Sequence, residues 1–117
     1  MESEPSDCIF CRIRDRELPG EFVYEDDRAF MIRDINPRAP IHMLVIPKEH
    51  IGTIANLDED TLPLIGHLTG VANGIARDAG IVGSGYRLAL NHGPNACNEV
   101  PHLHMHLLGG KLLGGLG

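Results

Sequence analysis

Residues 101–108 read Pro-His-Leu-His-Met-His-Leu-Leu, with histidine at 102, 104 and 106 and an apolar residue between each pair. Side chains along an extended strand alternate with period 2. A strand here puts all three imidazoles on one face and turns Leu103, Met105 and Leu107 into a core on the other. With 7 histidines in 117 residues, chance supplies roughly 0.02 such patterns. Histidine ionises near neutrality and serves as nucleophile, proton carrier or metal ligand, so the pattern demands a sheet with chemistry on one side.

The length sets one domain, large enough for a core without disulfides. The chain lacks Trp and has few other aromatics, so aliphatic side chains must do most of the packing. Its formal net charge is −6, which argues against general DNA or RNA binding. Any anion must be held locally, by imidazoles, backbone N–H groups or a helix N-terminus. Two of the three cysteines form Cys8-x-x-Cys11. That reads as a metal or redox pair in a reducing compartment rather than a disulfide framework. Residues 1–5 lack the features of a signal peptide, and no apolar run has membrane-spanning length. A soluble, cytoplasmic protein without a membrane partner is the expectation.

Along the chain, residues 1–7 read as a disordered lead, 8–110 as the domain and 111–117 as a flexible Gly/Leu-rich tail. The pattern predicts a short helix over 8–18, broken by Pro19-Gly20. A hairpin follows, with Phe22-Val23-Tyr24-Glu25 and Ala29-Phe30-Met31-Ile32 as its strands. Residues 41–46 form a buried strand stopped by Pro47. A long helix is predicted over about 58–79, with Leu64, Leu68, Val71 and Ile75 on one stripe. Asp58, Glu59 and Asp60 suit its positive end. Residues 86–90 form another strand, and the loop 91–101 leads into the histidines.

Several constellations carry chemistry. The loop Asn91-His92-Gly93-Pro94-Asn95-Ala96-Cys97-Asn98 can turn backbone N–H groups inward around a phosphate. Histidines beside such a loop suggest phosphoryl or nucleotidyl transfer. Cys8 and Cys11 need two more ligands for a tetrahedral zinc site; His50 and one histidine of the triplet are the candidates. His42 lies in a strand that could run beside the triplet. Asp34 is either a turn residue near Pro37 or a carboxylate for the two hydroxyls of a ribose. His67 reads as a helix-surface residue, and His92 and Cys97 as ordinary loop residues.

These residues resemble the histidine triad (HIT) superfamily, whose signature His102-Leu103-His104-Met105-His106-Leu107-Leu108 satisfies. The likeness also covers Cys8-Ile9-Phe10-Cys11-Arg12-Ile13, Asp34-Ile35-Asn36-Pro37, residues 39–50 and Asn91-His92-Gly93. It is nearest to the Hint-like nucleotide-binding branch and its zinc-containing bacterial type. The resemblance implies an α+β fold: a five-stranded antiparallel sheet with one long helix and a short N-terminal helix. It also implies a homodimer that binds purine nucleoside monophosphate derivatives of AMP or GMP. By the same match His104 is the nucleophile, His106 contacts the phosphate and His42 assists the nucleophile. Asp34 binds ribose, while Ile9, Phe10, Ile13, Ile32 and Leu44 line the base pocket. Asn91 and the phosphate loop with Asn98, Glu99 and Val100 complete the nucleotide site. Cys8, Cys11, His50 and His102 match the zinc ligands.

Two departures mark the phosphate loop. Ala96-Cys97-Asn98 replaces a loop that ends in glutamine in many relatives, and Glu99 stands where a serine assists in animal relatives. The implied reaction is a double displacement at the α-phosphorus, in which the neutral His104 forms a nucleotidyl-imidazole that water resolves. A hydrogen bond from its other ring nitrogen to a backbone carbonyl is expected to expose the attacking nitrogen. The rival readings are a nucleotidyltransferase or phosphorylase, a dinucleoside polyphosphate hydrolase, and a nucleotide-binding regulatory module with incidental catalysis.

Overall fold

The computed structural model describes residues 7–117, so of the expected disordered lead only Asp7 falls within it. The elements are α1 (Ile9–Arg14), β1 (Phe22–Glu25), β2 (Ala29–Arg33), β3 (Ile41–Pro47), α2 (Pro63–Asp78), β4 (Tyr86–Leu90) and β5 (Met105–Gly109). The strands form one antiparallel sheet in the order β1-β2-β3-β5-β4. This is the α+β architecture the resemblance implies.

Period-2 alternation in the central strands sorts the core into two clusters, one on each face of the sheet. Met31, Met43, Val45, Met105 and Leu107 pack with Leu64, Leu68, Val71, Ala72 and Ala76 of α2. Phe30, Ile32, Leu44 and Ile46 pack instead with Cys8, Phe10, Cys11 and Ile13 around α1. β3 is therefore covered on both sides, which explains its near-continuous burial. Leu44 is registered against His106, and Val45 against Met105. The histidine-bearing face of β5 is thus the face that carries α1.

Three element boundaries differ from the sequence expectation. α1 stops at Arg14 instead of residue 18, because Arg16 takes a left-handed backbone with φ 61°. α2 starts at Pro63 rather than near 58. Asp58 spends its carboxylate on the N–H groups of Asp60 and Thr61, closing a separate turn before the helix. The acidic residues therefore lie outside the helix's first turn, and Pro63 opens it with the φ that position favours. β5 starts at Met105, since the N–H of His102 bonds Val100 and that of Leu103 bonds Ile51 outside the ladder. The alternation nevertheless holds through His102: Leu103 and Met105 lie in the α2 core.

Gly20 lets α1 lie close to the sheet. A Cβ there would sit 2.7 Å from Ile13 Cγ2, closer than any real contact. α1 is otherwise held by Cys8, whose Sγ at the N-cap accepts the Cys11 N–H, and by Arg12 and Arg14 in the last turn, which complement the helix dipole.

Candidate active site and metal centre

α1 with its N-cap, the segment after β3 and the chain ahead of β5 bring four donors together. Cys8 Sγ is 3.2 Å from His102 Nδ1, and Cys11 Sγ is 3.3 Å from His50 Nδ1 and 3.5 Å from His102 Nδ1. All four donor atoms lie within 4.8 Å of one another. A tetrahedral zinc ion with ordinary Zn–S and Zn–N lengths needs sulfur–nitrogen separations of about 3.6 Å. Without metal, burial first and then Cys8 push the Cys11 thiol up to about 11; a cation would reverse that. Pro47 O lies 2.9 Å from His102 Nε2 and accepts its proton, leaving the Nδ1 lone pair free for metal. His50 Nε2 is buried without a partner among the described residues. The donor set is that of a structural zinc site, closed by four protein ligands. Sequence spacing left the fourth ligand open among the triplet; the fold selects His102.

The remaining two histidines of the triplet take different roles from their hydrogen bonds. His104 Nδ1 donates to the carbonyl of His102 at 2.7 Å. Its Nε2 therefore keeps a lone pair, as a nucleophile requires. Burial lowers its pKa below the usual histidine value and keeps the ring neutral. His106 Nδ1 is 3.0 Å from His42 Nε2. His42 Nδ1 accepts the backbone N–H of Arg38 at 3.1 Å, so the His42 proton resides on Nε2. His42 then donates to His106 Nδ1, and His106 carries its own proton on Nε2. That proton is a donor for an anion. Burial, followed by the neighbouring His104 and His42, holds His106 at about 4. His42 thus contacts His106 rather than the expected nucleophile; its other neighbour is Asp34 Oδ2 at 3.4 Å.

Asp34 fills the turn role of the sequence reading. Its Oδ1 accepts the Asn36 N–H in a turn, while Oδ2 faces His42. Phe10, Ile13, Ile32 and Leu44 share one cluster, and Val100 packs against it. The Phe10 ring sits edge-on to His104 with centroids 5.1 Å apart. Ile9 projects from α1 and is 44% exposed. Asn91 follows β4 and is half-buried, whereas Glu99 is exposed. Within the loop, the N–H groups of Cys97 and Asn98 are spent on the carbonyls of Pro94 and Gly93. Cys97 adopts φ 60°, a left-handed backbone unusual for a side-chain-bearing residue. Asn98 Oδ1 is buried with no hydrogen-bond partner among the described residues.

Two features escaped the sequence reading. His67 is no free surface residue: its Nε2 meets Asp26 Oδ2 at 2.8 Å, and Tyr24 donates to the same oxygen at 2.7 Å. This cluster ties the β1–β2 turn to α2, and no local pattern links residues 26 and 67. A cavity of about 450 Å³ beside it, lined by Tyr24, His67, Gly70 and Gly74, contains none of the triplet. Arg38 matters through its main-chain N–H on His42 Nδ1, which composition cannot signal.

A five-stranded sheet carrying this triplet, beside a Cys/His cluster, defines a histidine triad protein. The HIT domain family matches residues 15–112, and the chain belongs to that family. A histidine triad protein from Clostridium difficile superposes with a TM-score of 0.93 at 40% identity, covering 98% of this chain and 100% of that one. A HIT family hydrolase from Clostridium thermocellum is 47% identical, with a TM-score of 0.89 over 93% of this chain and 95% of that one. A 14 kDa zinc-binding protein of Zea mays is 42% identical over 110 residues, 92% of this chain and 85% of that protein.

Proposed function

We propose that this protein is a purine nucleotide-binding hydrolase. It cleaves nucleoside 5'-monophosphate derivatives, phosphoramidates and related esters or anhydrides, at the α-phosphorus through a nucleotidyl-His104 intermediate. The single observation that carries this reading is the 2.7 Å hydrogen bond from His104 Nδ1 to the His102 carbonyl. It leaves the attacking nitrogen unprotonated in a neutral ring. The relatedness to a protein described as a HIT family hydrolase supports the same reaction class.

In this mechanism His104 Nε2 attacks the phosphorus in line and expels the amine or phosphate. Water then breaks the nitrogen–phosphorus bond and frees the monophosphate. His106 Nε2–H donates to a non-bridging oxygen, together with the N–H groups of Glu99 and Val100. Neither of those N–H groups bonds a protein acceptor among the described residues. Donors preset where charge develops supply much of the rate. Asp34 accepts the ribose hydroxyls, and Asn91 and the Asn98 amide hold the sugar and phosphate. Ile9, Phe10, Ile13, Ile32 and Leu44 take the purine. Zinc on Cys8, Cys11, His50 and His102 supports this framework without taking part in a step. A second copy extends the sheet at β4, an edge strand, to give a homodimer, and reduced thiols suit the cytoplasm.

The test is a substrate panel of AMP and GMP amidates, sulfates and dinucleotides, with His104→Ala as control. Release of AMP or GMP by wild type and none by the variant is expected. Hydrolysis by the variant at the wild-type rate defeats the proposal. Nucleoside diphosphate formed on adding phosphate identifies a phosphorylase instead.

A further inference from the structure

Among the described residues, two side-chain clusters have the composition and spacing of metal sites. Cys8, Cys11, His50 and His102 form one; Asp34, His42 and His106 form the other, with donor atoms again within 4.8 Å. Two imidazoles and a carboxylate are a common set for divalent transition metals. We infer that the chain admits metal to the first cluster and refuses it at the second, and that the main-chain N–H of Arg38 is the discriminating group.

The difference lies behind His102 and His42; behind His50 Nε2 stands no partner of either kind among the described residues, so no donor there opposes metal at its Nδ1. A histidine ligates metal through a lone pair, and its other nitrogen then carries a proton that needs an acceptor. His102 meets this condition, because Pro47 O stands 2.9 Å from Nε2 while Nδ1 faces the thiols. His42 has the opposite polarity. Behind it is a donor, the Arg38 N–H, 3.1 Å from Nδ1. The proton is therefore on Nε2, the very atom that faces Asp34 and His106 at 3.4 and 3.0 Å. Metal at Nε2 would force the proton onto Nδ1, setting one N–H against another. His42 is only 6% exposed, so water cannot relieve that clash cheaply. The lone pair of His106 Nδ1 is meanwhile occupied by the His42 proton. The histidines that need defined protons are thus shielded from the zinc that the neighbouring cluster requires. Arg38 acts as a positioning residue through its main-chain N–H; its guanidinium adds a weaker, non-directional opposition to positive charge at His42 and His106.

Metal occupancy tests this independently of whether His104 is a nucleophile. Wild-type protein is equilibrated with excess Co²⁺ or Zn²⁺ at neutral pH, and bound ions are counted. One ion per chain is expected, with the sulfur-ligand absorption of Co²⁺ and no added nitrogen/oxygen-ligand bands. R38A, which keeps the N–H, stays at one. R38P, which removes it, gains a second ion, with affinity raised on the order of 10–100-fold; D34N in that background loses it again. A second tight ion on wild type that H42A abolishes overturns the inference. Histidine ¹⁵N spectra give a direct readout: His42 is expected with Nδ1 unprotonated and Nε2 protonated, and the reverse tautomer overturns the inference as well. Should R38P fail to fold, the wild-type ion count and tautomer decide.

Discussion

The carbonyl of His102 accepts the Nδ1 proton of His104 at 2.7 Å, while the ring of the same His102 faces the thiols of Cys8 and Cys11. One residue joins the metal centre to the proposed nucleophile: its side chain belongs to the first and its main chain orients the second. Phe10, between the two cysteines in sequence, stacks edge-on to both rings, 5.9 Å from His102 and 5.1 Å from His104. Zinc loss should therefore disturb the proposed nucleotide pocket as well as the fold.

His104→Ala should lower turnover of an AMP amidate by roughly 10⁴-fold. AMP affinity should stay within a few-fold of wild type, because the proposed base and ribose contacts lie on other residues. Rapid-quench kinetics and calorimetric binding separate the two effects. A parallel loss of binding would mean that His104 holds substrate rather than attacks it.

Cys8→Ser should lower zinc content below one ion per chain and destabilise the fold by about 3 kcal/mol, roughly a 10 °C drop in Tm. Metal analysis and scanning calorimetry measure both. Chelation of wild type should reproduce the shift, and it should raise KM for nucleotide more than it lowers kcat, through the loosening of Phe10.

Gly20→Ala places a methyl group 2.7 Å from Ile13 Cγ2 and should cost about 1–3 kcal/mol as α1 is pushed from the sheet. Ile13→Ala in the same chain removes the clashing atom. The double variant should therefore lose less than the two single losses summed, read by denaturant unfolding.

Asp26→Asn should cost about 1–2 kcal/mol at neutral pH. Burial alone would raise the Asp26 carboxyl, but the Tyr24 hydroxyl, the N–H groups of Arg28 and Ala29, and His67 outweigh it and hold it at about 2. The folded value lies below the unfolded one of about 4, so ionised Asp26 stabilises the native state above pH 4. That contribution fades as pH falls through 4 toward 2. The gap between wild type and variant should close over that interval, and a constant gap would assign the loss to packing instead.

Much of the fold was legible in order along the chain. The hairpin strands, β3, β4 and the stripe of Leu64, Leu68 and Val71 in α2 all follow local periodicity, and each forms nearly where the pattern places it. The errors fall at boundaries. There, side-chain bonds such as Asp58 to Thr61, or a left-handed residue such as Arg16, compete with helix continuation. The candidate residues were also legible as types, because His and Cys at those spacings are rare. Their partners were not legible from spacing, although the resemblance supplied His50 and His102 for the two cysteines. Cys8 and His102 meet across 94 residues, and His67 and Asp26 across 41.

By itself the sequence determined a sheet with histidines on one face and aliphatic residues on the other, since period 2 is a property of the local backbone. It determined as well that thiols and imidazoles suited to zinc were present. The resemblance already paired His102 with the cysteines; only the tertiary structure decided which nitrogen of each ring carries the proton, and that His42 contacts His106. Those choices depend on the backbone group behind each ring: the carbonyls of Pro47 and His102, and the N–H of Arg38. Every residue but proline carries the same two main-chain groups, so only the folded path of the chain could single these out.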